Sequence, residues 1–238
     1  VNLTIAGMTF RALLGRRRVL LLLPMPVLLI GLSLIVRAQG SDVFTWGPIV
    51  LGQLGIGVIL PLTALIVGSS VLGLEIEDGT ITHILAKPLP RREIVLAKLV
   101  VAWAVTTVAT AAPLAAAGAI GGSAALALGM GVGAAVGALA YSSAFLALSL
   151  VTRRPVGMGL LYILLWENLL VRFVSGARVL SVREYSTVLA RAISGSDGLP
   201  AADLPTTAAA ILAAAFVIAG FAIATNRLRS FRLTGETS

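Results

Sequence analysis

Glu75 to Lys98 reads EIEDGTITHILAKPLPRREIVLAK and is the one long polar interruption between two long apolar runs. Three of the chain's ten acids, Glu75, Glu77 and Asp78, fall within its first four positions. Asp78, Gly79 and Thr80 read as a helix start, because the Asp carboxylate can accept the free N–H groups of a first turn. Ile81, Ile84 and Leu85 then fall at i, i+3 and i+4, which is one face of a helix, with Lys87 near its end. Pro88 and Pro90 stop that helix and turn the chain, and Arg91, Arg92 and Glu93 lead into the next apolar run. The spacing predicts a short amphipathic helix between two membrane spans.

Outward from this stretch the chain is apolar. Of 238 residues 58% are hydrophobic and 12% charged, with a mean hydropathy of +1.01, which excludes a soluble globular domain and points to an integral membrane protein. Apolar runs at 19–36, 47–74, 99–120, 124–150, 156–174 and 207–225 predict six spans, and so an all-α membrane protein with a single transmembrane domain over residues 1–238. Before the first span, Ile5, Phe10, Leu13 and Leu14 lie among Arg11, Arg16, Arg17 and Arg18. That pattern suits either an amphipathic helix at the membrane surface or a simple basic flank. The first run exceeds the usual ~7–15 apolar residues of a cleavable signal peptide, so an uncleaved helix is expected.

Within the spans a few residues stand out. Gln53, with glycines at 52, 55, 57 and 68, allows close helix approach in the second span and a hydrogen bond across an interface. Gly129, Gly133 and Gly137 put two overlapping GxxxG steps on one face of the fourth, a face that packs backbone to backbone on another span or on a second copy. Glu167 lies deep in the fifth. An intramembrane acid faces a cavity or a partner. Arg172, five residues on, is ~140° around an α-helix and so is no neighbour. Glu167 and Gln53 are therefore candidates for a pathway or a subunit seam, with a satisfied structural contact as the plainer reading.

Residues 175–206 are polar enough to be expected outside the membrane, with Ser181 and Glu184 matching a capping box ahead of an apolar stripe at Val182, Tyr185, Val188 and Leu189. Thirteen of the eighteen Lys and Arg fall on the side of both termini, which makes that side cytoplasmic in a multi-pass protein of the cell membrane. The bias accounts for the net charge of +8 without nucleic acid.

The chain has no GxxxxGK[ST] phosphate loop, a single histidine (His83) and no cysteine, so a nucleotide site, a His-based metal cluster and a His-containing triad are all missing. A non-catalytic membrane subunit is expected, with no cofactor of its own.

The opening stretch resembles the permeases of type-2 ABC exporters, on Glu75, Glu77, Gly79, Thr80, Pro88, Arg91 and Lys98. The resemblance implies that the amphipathic segment is a coupling helix that docks into a separate ATPase. Glu75, Glu77, Asp78, Gly79, Thr80, Ile81, Ile84 and Leu85 would make that coupling. It further implies a second permease copy, identical or related, and two ATPase subunits that bind the ATP and Mg. A stand-alone secondary transporter or ion-coupled channel using Glu167 is the alternative. The substrate is not legible in these smooth Ala, Gly, Leu and Val spans.

Overall fold

The computed structural model describes Gly7, Thr9 and residues 24–77, 90–152, 154–173, 175–195, 198–201 and 204–230. Among these every regular element is helical. Helix α1 is Pro24–Ala38. Val43–Gly47, a π-helical stretch Pro48–Ile59 and Leu60–Glu77 follow without a break and together form α2. Arg91–Ile120 is α3 and Ala124–Val151 is α4. Pro155–Leu161, the π-helical Tyr162–Leu170 and Val171–Phe173 form α5. A 3-10 turn, Ser175–Leu180, leads to α6 (Val182–Ser194), and α7 is Thr206–Ser230.

Val43–Val71 of α2, α3, α4 and Thr206–Arg229 of α7 are long and apolar enough to cross a membrane. Pro24–Ala38 and Pro155–Leu170 are apolar but shorter. Residues 19–23 of the first expected span lie outside the described residues, as do the amphipathic segment at 1–18 apart from Gly7 and Thr9, and the predicted helix from Asp78 to Lys87. The helices run up and down. One end of the bundle, here the upper end, carries the turns at 39–42 and 121–123, where Gly40 and Gly122 adopt φ of +74° and +88°, values that a Cβ disfavours. The lower end carries Glu77, Pro90, Arg154 and the end of α7.

Helix α4 is the hub and packs against α2, α3, α6 and α7. Its sequence explains that place. Ala, Gly and Ser dominate it, and small residues let neighbouring backbones approach from several sides, which is the main attractive device once every side chain is surrounded by equally apolar lipid. Trp103 of α3 adds an interhelical hydrogen bond, its Nε1–H donating to the Ala135 carbonyl at 2.9 Å. In α3, Pro113 lacks an N–H, and just before it Thr110 Oγ1 donates back to the Thr106 carbonyl at 2.7 Å, as Thr does in apolar helices. An upper core gathers Leu51, Leu60, Leu114, Met130, Tyr141 and Tyr185, while a lower one gathers Val67, Val71, Ile94, Ala102, Leu146 and Leu228.

The segment expected outside the membrane is placed differently. Helix α6 lies alongside the upper half of α4, with Ser186 against Gly133 and Gly137 and with Ser194 against Gly129. Gly137 is thirteen residues below Ala124, which at 1.5 Å per residue puts the foot of α6 ~20 Å below the top of α4. Polar composition misleads here because two of the helix's hydroxyls, those of Ser186 and Thr187, bond its own carbonyls. Ser186 Oγ donates to the Val182 carbonyl at 3.0 Å and Thr187 Oγ1 to the Arg183 carbonyl at 2.9 Å. Such residues need no water.

Candidate functional site

Helix α6 begins inside the bundle, and that start creates a chemical problem. The first N–H groups of a helix have no intrahelical partner, and away from water each needs an acceptor. Glu167 and Ser181 supply them. Glu167 is 1% exposed, and its Oε1 accepts from the Val182 N–H at 3.0 Å and from the Tyr162 hydroxyl at 3.0 Å, while Oε2 accepts from Ser181 Oγ at 2.5 Å. Ser181 Oγ in turn accepts from the Glu184 N–H at 3.2 Å, the N-cap bond that its spacing to Glu184 announces. The 3-10 turn is fastened to both sides, with Trp166 Nε1 donating to the Leu180 carbonyl at 3.3 Å and the Tyr185 hydroxyl donating to the Val179 carbonyl. Tyr141, Phe145 and Tyr162 wall the carboxylate off, the first two rings stacked at 5.9 Å and the second pair edge-on at 6.3 Å.

The Tyr162 to Glu167 bond depends on the π-helix. Five residues are ~140° apart on an α-helix, but i→i+5 hydrogen bonding over Tyr162–Leu170 brings such a pair onto one side. Asn168 uses the same offset, its Nδ2 donating to the Ile163 carbonyl at 2.9 Å.

Two glycine stripes hold α6 and the loop after it. On α4 the stripe is Gly129, Gly133 and Gly137, and a Cβ added at Gly133 would stand 2.5 Å from the Ser186 carbonyl oxygen and 2.8 Å from Ala190 Cβ. The face is therefore filled by α6 of the same chain. On the π-helical part of α2 and its approach, Gly47, Gly52 and Gly57 recur every five residues. A Cβ at Gly52 would stand 2.6 Å from the Pro200 ring, one at Gly47 would collide with Gly198, and one at Gly57 would stand 3.0 Å from Cζ of Arg183. A five-residue glycine repeat has no meaning on an α-helix, so the sequence gives no sign of this second stripe. Gly133→Ala is expected to lower unfolding stability in detergent by about 1–3 kcal/mol, because backbone rather than a pliable side chain blocks the new methyl. Gly131→Ala, whose Cβ would meet Ala115 Cβ at an ordinary 3.4 Å, should be neutral or slightly stabilising. Equal Tm values for the two variants would contradict the stripe.

Residues 5–173 match the family described as ABC-2 family transporter protein. The chain belongs to that family. It is thus a multi-pass membrane protein, of the type that serves as the membrane subunit of an ABC transporter. No curated protein matches it. The match runs up to the end of α5, so α6 and α7 lie beyond it.

In this ABC-2 permease the residues singled out from sequence fall in three places. Glu167, Gly129, Gly133 and Gly137 meet around α6. Gln53 is exposed on the π-helical part of α2, on a side shared with Ile49 and Val58, and does not join the Glu167 cluster. Glu75 and Glu77 end α2, while Asp78, Gly79, Thr80, Ile81, Ile84 and Leu85 lie outside the described residues. Lys98, just ahead of the apolar run expected at 99–120, lies eight positions into α3 and is fully buried, its Nζ donating to the Val71 carbonyl of α2 at 3.0 Å. It ties together the lower ends of the two helices that enter and leave the polar stretch. The alternation of Ile94, Val95 and Leu99 with Lys98 gives the one sequence hint of that burial.

Proposed function

We propose that this ABC-2 permease is the membrane half of an ATP-driven exporter in the cytoplasmic membrane, with both termini and the lower end of the bundle in the cytoplasm. Six spans, a coupling helix from Asp78 to Lys87, two permease copies and two ATPase subunits holding ATP and Mg complete the assembly. The family match carries the reading, because it covers α1 to α5 together with the polar stretch between α2 and α3. The excess of Lys and Arg at the lower end supports the orientation. The Lys98 bond to Val71 supports coupling, since helices fastened beside the stretch pass a push on it to the bundle as one body. Both oxygens of Glu167 are already engaged at the foot of α6, which favours this reading over a stand-alone carrier with Glu167 as its ion site.

Co-expression with a P-loop ATPase and purification in mild detergent tests the assembly. The expected native mass is that of two permease and two ATPase chains, with ATP hydrolysis in the complex. A monomeric permease that transports without ATP would sink the proposal.

A further inference from the structure

Arg183 stands in the first turn of α6, half-buried, with its guanidinium over Gly57 of α2. Nε and Nη1 would stand 3.2 Å from a Cβ at that glycine, so the group occupies the space a side chain at 57 would take. Gly57 is fourteen residues below Val43 and twenty above Glu77, which places the guanidinium in the interior of the bundle's height and away from both ends. A charge at that depth is costly and is retained where it meets a partner or a water-filled path.

Among the described residues the acids on α5 and α6 are Glu167 and Glu184. Glu167 is engaged with Tyr162, Ser181 and Val182. Glu184 is shared by the fields of Arg178, Arg183 and Arg191, which leaves the group in positive excess. An anionic ligand would supply the countercharge that one acid among three arginines does not. Gln53, exposed four residues before Gly57, adds an amide on the same helix, and exposed Ile49 and Val58 flank it with apolar surface.

We propose that Arg183, with Gln53 above it, is a subsite for the phosphate or carboxylate head of an amphiphilic substrate, whose apolar part lies along Ile49 and Val58. The planar guanidinium suits bidentate contact with such a head. The inference rests on the transport reading, but a binding measurement without ATP or a partner chain tests it separately. Failure of the four-chain assembly would leave the binding result standing, and the reverse also holds.

The full chain in phosphatidylcholine nanodiscs is titrated with dodecyl phosphate, dodecyltrimethylammonium and inorganic phosphate. Wild type is expected to prefer dodecyl phosphate over the cationic amphiphile, and Arg183→Gln to weaken dodecyl phosphate about tenfold or more while leaving the cation unchanged. Arg183→Lys, which keeps the charge but loses the planar fork, should fall between them, and it carries the test if the Gln variant does not fold. No preference in wild type, or full preference in Arg183→Gln, overturns the proposal. Inorganic phosphate binding as tightly as dodecyl phosphate, with the same dependence on Arg183, overturns the amphiphile in favour of a free anion.

Discussion

Glu167→Ala removes the acceptor for three donors at once, two of them buried, and the expected result is a permease that loses most of its transport and about 3 kcal/mol of stability. The buried Val182 N–H and Ser181 hydroxyl and the partly buried Tyr162 hydroxyl would each lose a partner. Leaving a buried polar group unpaired costs roughly 1–3 kcal/mol, and the Val182 N–H, fixed in the backbone, cannot turn toward another acceptor as a hydroxyl can. Glu167→Gln separates the carboxylate's charge from its shape. Its carbonyl oxygen can still accept from Val182 and Tyr162, and its amide can donate to Ser181 Oγ, whose second lone pair remains. The Gln variant should therefore stay within about 1 kcal/mol of wild type. Thermal unfolding in detergent, read beside transport in proteoliposomes, distinguishes the two. Wild-type stability in the Ala variant would show that Glu167 does not hold the foot of α6.

The second large effect lies at the lower end. Under the proposed docking, Ile81 and Leu85 are inserted into a groove of the ATPase, and burial of such side chains is worth roughly 1.5–3 kcal/mol each. Ile81→Ala with Leu85→Ala should weaken the complex by about two powers of ten or more, enough to lose the ATPase during co-purification. Glu77→Gln should fail differently. Under the same proposed docking, an acid at the entry to the coupling helix would order its first turn without filling the groove, so the ATPase should stay bound while hydrolysis continues with little transport. Full coupled activity in the Ile81/Leu85 double variant would rule out that docking face.

How far the sequence reaches is clearest at α6. Ser181 and Glu184 announced a helix start, and the N-cap bond is present, with Gly195 at φ +73° closing the other end. Gly129, Gly133 and Gly137 announced a face built for close approach. Neither pattern says that the two belong together. The polar content of 175–206 argued for an exposed segment, because composition records how many hydroxyls a segment carries and not whether its own carbonyls satisfy them.

Composition and apolar run length determined that this is a helical membrane protein and roughly where each run begins and ends, since every run must bury its backbone polar groups within itself. They determined the polar stretch between the second and third runs, and the placement of Lys and Arg determined the expected orientation. The tertiary structure decided which faces meet. The π-helical stretches at Pro48–Ile59 and Tyr162–Leu170 shift the angular register, so that Gly47, Gly52 and Gly57 form a stripe and Tyr162 reaches Glu167. It also decided that Lys98 is buried against Val71 and that Arg183 is seated on Gly57. A side chain's partner depends on the rotation and depth of a neighbouring helix, which packing between distant segments sets and which no local spacing encodes.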